Sequence, residues 1–242
     1  MLRHLLLLCA LSFVCGIAYG GPKAVDKIRA VDFVVDENTP ALIPREQEIE
    51  LALKAAPVHL RSEATVYAFG KNGYEKAREG KNGFNCLVNR DGTQNGDQSV
   101  YPTCWDPEGS RTILPVMLRV GELIAQGKSA VEIKSDIDGG FTKGRFHSPA
   151  KTGIAYMLAG DVKFDQKTGR LSEIAFPPHY MIYAPGVTNA DIGVSQEAMQ
   201  KTPGLPFVYS GYSGGTRTAY LIVMAIQPAG HEMGGQKSGG SR

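Results

Sequence analysis

Cys86 and Cys104 constrain this chain more than any other pair, because of what stands in front of them. The sequence opens MLRHLLLLCALSFVCGIAYGGPK, with a basic start at Arg3 and His4 and a run over residues 5–14 that is apolar but for Ser12. Ala18 and Gly20 then place small residues three and one before a cut between Gly20 and Gly21. This is the three-part layout of a secretory signal peptide. The run falls short of the ~20 apolar residues that a membrane-spanning helix needs. A lipoprotein signal acylated at Cys15 would want small residues just before the cysteine, where Phe13 and Val14 stand. Removal of residues 1–20 takes away Cys9 and Cys15, leaving two of the four cysteines in an oxidising compartment where disulfides persist. A zinc site would want closely spaced cysteine pairs or histidines nearby, and a redox pair would more often be C-x-x-C. A Cys86–Cys104 disulfide is therefore expected, contributing ~3 kcal/mol by the loop-closure argument.

What remains of the 242 residues is enough for one sizeable core. The formal net charge of +2 falls by one with Arg3, so a near-neutral mature chain offers no electrostatic case for nucleic acid or for an anionic membrane. No second apolar segment reaches spanning length. The expected location is the periplasm or the external medium.

Along the mature chain, VDFVV at 31–35 reads as a strand. Pro44 at the tolerated first helical position opens a helix, REQEIELALKAA, that Pro57 ends. Residues 64–69, 74–79 and 84–90 follow as strands, separated by two GKNG turns, and predict an antiparallel meander whose third strand carries Cys86. Ile113, Val116, Met117, Val120 and Ile124 recur at helical spacing. Gly127 stops that helix, Ser129 and Glu132 form a capping box for the next, and Gly139-Gly140 end it, giving an αα-hairpin. Strands return at 153–159, in a hairpin with its turn at Asp165 to Gly169, and at 179–184, 206–210 and 218–226. Residues 227–242, rich in Gly, Ser and Lys, read as a disordered tail. The expected fold is a single α+β domain over 21–226, an antiparallel sheet with an inserted αα-hairpin.

Four motifs invite a chemical reading. Asp91, Asn95 and Asp97, with Gly96 at the sixth position, resemble the start of a calcium loop. Pro102 stands where a bidentate Glu belongs, so Asp106 or Glu108 would have to complete the set. Gly211-Tyr-Ser213-Gly-Gly215 spells the nucleophile elbow, but a strand pattern follows it and no acid lies between Ser213 and His231. Ser148-Pro-Ala-Lys151 with Thr152-Gly153 spells two penicillin-site motifs that share one lysine, which cannot line both sides of a site. Finally, Pro177-Pro178 lead into a strand that places His179, Met181 and Tyr183 on one face, with His147 and Asp191 as possible companions for acid–base or metal chemistry.

The sequence thus favours an exported, disulfide-stapled domain that binds a small molecule or a protein without catalysis and without a resident cofactor. A hydrolase or lyase built around His179 and Tyr183 is the alternative, and a calcium-stabilised module is the third.

Overall fold

The computed structural model describes residues 41–211 and 213–225. The expected signal peptide with its cut at Gly20/Gly21, the strand at 31–35 and the carboxy-terminal tail all lie outside the described residues. The helices are α1 (Arg45–Lys54), α2 (Val58–Arg61), α3 (Pro107–Thr112), α4 (Leu114–Ala125), α5 (Ala130–Thr142) and α6 (Gln196–Lys201). The strands are β1 (Thr65–Gly70), β2 (Gly73–Arg78), β3 (Asn85–Asn89), β4 (Ser99–Trp105) and β5 (Ile154–Met157). They continue with β6 (Asp161–Phe164), β7 (Leu171–Phe176), β8 (His179–Tyr183), β9 (Phe207–Tyr209) and β10 (Tyr220–Met224). The fold is α+β, built on one mostly antiparallel sheet in the order β2-β1-β3-β4-β5-β8-β10-β9, with β6 and β7 branching off β4. No helix among the described residues is long and apolar enough to cross a membrane.

Alternation along the central strands sorts the core onto two faces. In β3, Cys86 and Val88 pack with Ala52 of α1, whereas Leu87 between them packs with Trp105 and the apolar stripe of α4. Cys86 and Cys104 stand directly opposite each other on the antiparallel pair β3–β4 and are joined by a disulfide. The staple therefore crosses two paired strands, and the polar segment between the cysteines shrinks to a short connection around residues 90–98. Ser129 caps α5 as its spacing predicts, with the reciprocal bonds to Glu132 both present.

Three readings of the sequence need correction. Pro44 precedes α1 as its cap residue and does not stand inside the helix. The first three strands do not form a meander, because β1 and β3 run parallel. The first GKNG makes a tight β1–β2 turn, but the second carries the chain back across the start of β1. Gly80 packs so closely there that a Cβ would lie 2.2 Å from Glu63 O, and Lys81 N and Asn82 N both donate to that carbonyl. Side chains in a crossing this tight would clash, so the glycine serves close approach, not a hairpin. Nor do Gly139-Gly140 end α5, which runs on to Thr142. The ring of Phe146 folds back onto Gly140, where a Cβ would meet it at 2.4 Å.

Candidate functional site

The site begins with a bend in a long β-ribbon. Strands β5 and β6 both run antiparallel to β4, but the pairing shifts between them: Cys104 opposes Tyr156, whereas Val100 opposes Val162. Two extra residues are therefore inserted on the β5–β6 side near Leu158 to Gly160. The opposing edge is broken at the same level by Pro177-Pro178, between β7 and β8. Proline has no N–H to give to a ladder, so pairing lapses on both edges and the ribbon folds. Gly160 takes φ +70° at this point, and a Cβ on it would lie 2.5 Å from Phe176 O. Beyond the bend β8 pairs with β5, and before it β7 pairs with β6, so the sheet forks at β4.

A cavity of about 330 Å³ opens in this fork. Its floor is Tyr101, Thr103 and Trp105 of β4, with Met117 of α4 beneath. One wall is Met157, Met181 and Ile222, and the other is Phe176, Phe207 and Tyr209. Two polar side chains reach it from the bend itself: Asp161, one residue after Gly160, and His179, one residue after Pro178. Volume and an apolar lining with few polar groups are those of a small-molecule pocket. Trp105 donates its indole N–H to the Tyr220 hydroxyl at 3.0 Å, which fixes the largest ring of the floor.

His179 is buried, its ring edge-on to Phe176 at 5.1 Å between centroids. Burial pushes its pKa below the usual imidazole value against the opposing pull of the Pro177 carbonyl, 2.9 Å from Nδ1. Because a carbonyl only accepts, Nδ1 carries the proton and the neutral ring keeps Nε2 as an acceptor. Asp161 is perturbed in the other direction. Burial, and then the nearby charge of Asp97, push its carboxyl up to about 7, and Oδ1 is buried with no hydrogen-bond partner among the described residues.

The other candidates named from sequence are dispersed. Tyr183 shares the buried face of β8 with His179 and Met181, but its hydroxyl lies 2.8 Å from Asp106 Oδ1 and 2.9 Å from Ile154 O, outside the cavity lining. His147 is exposed in a separate depression beside Phe141, Phe146 and Arg217. Asp191 is also exposed, and its carboxylate accepts from the backbone and hydroxyl of Thr188. The set imagined around His179 is thus not assembled.

Ser213 is buried and clamped. It gives its hydroxyl to Asp91 Oδ1 at 2.6 Å and its N–H to Oδ2 at 3.1 Å, while Gln94 donates to Oδ1 at 2.8 Å. A 3₁₀ turn, Gly215–Thr218, and then β10 follow it, so the strand–serine–helix geometry of an elbow is missing. Of the calcium candidates, Asp91 is occupied in this clamp. Asp97 accepts from Ser99 N and the Tyr101 hydroxyl, and Asn95 lies in a 3₁₀ turn, Thr93–Asn95. Among the described residues no group of three or more His, Cys, Asp or Glu side chains is placed to hold a metal ion. Ser148 lines the same depression as His147, away from the cavity.

Sequence reasoning missed Asp161 and Trp105. A signal for the first was present: a Gly-Asp step interrupts an apolar strand pattern, and a Pro-Pro step interrupts its hairpin partner. No protein-family model, curated protein or solved structure matches this chain.

Proposed function

We propose that the protein binds a small, largely apolar molecule in the cavity at the fork of the sheet and performs no chemistry on it. The observation that carries this reading is the composition of the cavity: mostly aromatic and methionine walls, with Asp161 and His179 at one bend and Asn89, Asp91, Thr103 and Thr218 as the other polar members of the lining. The catalytic set expected around His179 is not assembled, because Tyr183, His147 and Asp191 are engaged or placed elsewhere. The amino-terminal signal pattern and the Cys86–Cys104 crosslink support a place of action outside the cytoplasm, where such a protein would capture or carry its ligand.

Trp105 is the only tryptophan in the chain and lies on the cavity floor, so its emission reports occupancy directly. Titration with small aromatic amines and alcohols, 2-phenylethanol among them, should give a saturable change in emission with one site per chain. Ile222→Phe, which places a ring in the cavity, should abolish it. A response that does not saturate, or that survives this substitution unchanged, rejects the reading.

A further inference from the structure

We infer that the ligand carries a single positive charge, a protonated amine or quaternary ammonium on a small apolar body, and that Asp161 is its counter-ion. The inference rests on the cavity being a binding site, and goes further in naming what it selects. Asp161 Oδ1 is buried, faces an apolar cavity and has no hydrogen-bond partner among the described residues. A carboxylate left so is costly, and the cost is recovered where a bound partner supplies the missing positive group.

The rest of the lining excludes the other charge types. Among the described residues no lysine or arginine contributes to it, so an anion would meet carboxylates with no cationic side chain of the described lining to offset them. The second acid on the wall, Asp91, already accepts from Ser213 and Gln94, which leaves Asp161 as the carboxylate open to a ligand. Burial disfavours the charged form of His179, and Asp97 adds negative charge near Asp161. The rings of Tyr101, Trp105, Phe176, Phe207, Tyr209 and Tyr220 line the same space. Aromatic faces carry partial negative charge and attract ammonium groups, most strongly where water is excluded. A carboxyl that burial makes hard to ionise in the empty cavity fits the same account, since an arriving cation restores its charge.

The test is a series that shares a phenyl ring on a two-carbon linker and differs in charge: 2-phenylethylamine, 2-phenylethanol and 3-phenylpropionate, each titrated against Trp105 emission at pH 8. The amine should bind about tenfold or more tighter than the alcohol, as a charged hydrogen bond to a buried carboxylate implies, and the carboxylate weakest of all. Asp161→Asn should abolish the preference, so that amine and alcohol bind within about twofold of each other. Equal binding of amine and alcohol, or tighter binding of 3-phenylpropionate, overturns the inference and leaves the binding site standing. Silence from all three compounds removes both. The wild-type ranking decides by itself should the variant fail to fold.

Discussion

Arg90 lies between two rings, its guanidinium carbon 4.5 Å from the centroid of Phe69 and 4.7 Å from that of Phe164. Glu48 approaches from α1, with Oε1 3.9 Å from Nη2, and both side chains are almost wholly buried. Neither oxygen of Glu48 and neither Nε nor Nη2 of Arg90 has a hydrogen-bond partner among the described residues. Charge and ring contact hold the pair, with one long hydrogen bond from Arg90 Nη1 to Ala41 O at 3.4 Å, and burial outweighs the pull of Arg90 to push Glu48 up to about 7. Such a pair contributes little net stability, but taking one member away leaves the other charged and dry. Glu48→Ala should therefore lower unfolding stability by roughly 3–5 kcal/mol, whereas Glu48→Leu with Arg90→Met should be neutral or stabilising. Urea denaturation followed by Trp105 emission measures both, and similar losses in the two variants would refute the account.

At the scale of elements, α3 shows how a supposed catalytic residue can serve as an anchor. Asp106 caps this short helix, accepting from Gly109 N at 2.9 Å through Oδ1 and from Ile154 N at 2.9 Å through Oδ2. The Tyr183 hydroxyl completes the cluster from β8, and the ring fits only because Gly109 and Gly153 lack side chains; a Cβ on Gly153 would meet it at 2.6 Å. Tyr183→Phe should lower stability by ~1–3 kcal/mol, as the loss of a hydrogen bond to a charged acceptor implies. It should leave Trp105 titrations with 2-phenylethanol unchanged, since the hydroxyl is outside the cavity. A variant of normal stability that no longer binds would restore Tyr183 to the site. Elements set by local rules were legible in the sequence: the capping box at Ser129, the stripe of α4, the hairpin turned at Asp165 to Gly169, and the pairing of Cys86 with Cys104. What depended on distant packing was not. The second GKNG repeats the letters of the first, but Gly80 answers to Glu63 and a crossing chain; Gly140 answers to the ring of Phe146. His179 could be suspected because Pro177-Pro178 mark its strand. For Asp161 the Gly-Asp step marked only a break in the strand, because its isolation is a property of the fork and not of its neighbours in sequence.

For the whole molecule, these buried groups set how stability responds to pH. Glu48 and Asp161 are raised from 4.5 and 3.8 to about 7. A carboxyl that ionises less readily in the fold keeps its proton longer there, so between pH 4.5 and 7 the native state binds more protons than the unfolded chain. Stability then falls as pH rises through that window. His179 opposes this, since its lowered pKa means that the unfolded imidazole takes up a proton below 6.5 before the folded one does. Its effect ends above 6.5, where the carboxyls still act. Below pH 4.5 the exposed or half-buried acids held below their usual range, Glu132 and Asp136 among them, lose the partners that their ionised forms engage. The optimum consequently lies near pH 5–6, and not at the neutral plateau common to small domains. The Glu48 shift alone corresponds to a loss on the order of 3 kcal/mol at most on going to pH 8. At ~2–4 °C per kcal/mol for a chain of this size, Tm should drop by roughly 5–10 °C from pH 5.5 to pH 8. Glu48→Gln should remove most of the drop and Asp161→Asn a smaller part, because Asp161 is only half-buried as a residue. Saturating 2-phenylethylamine should act at the same end of the range, stabilising the protein more at pH 8 than at pH 5.5 because it binds the ionised form of Asp161. A Tm that is flat or rises between these pH values, measured by thermal unfolding with the disulfide intact, would show that the two carboxyls are better partnered than their surroundings imply.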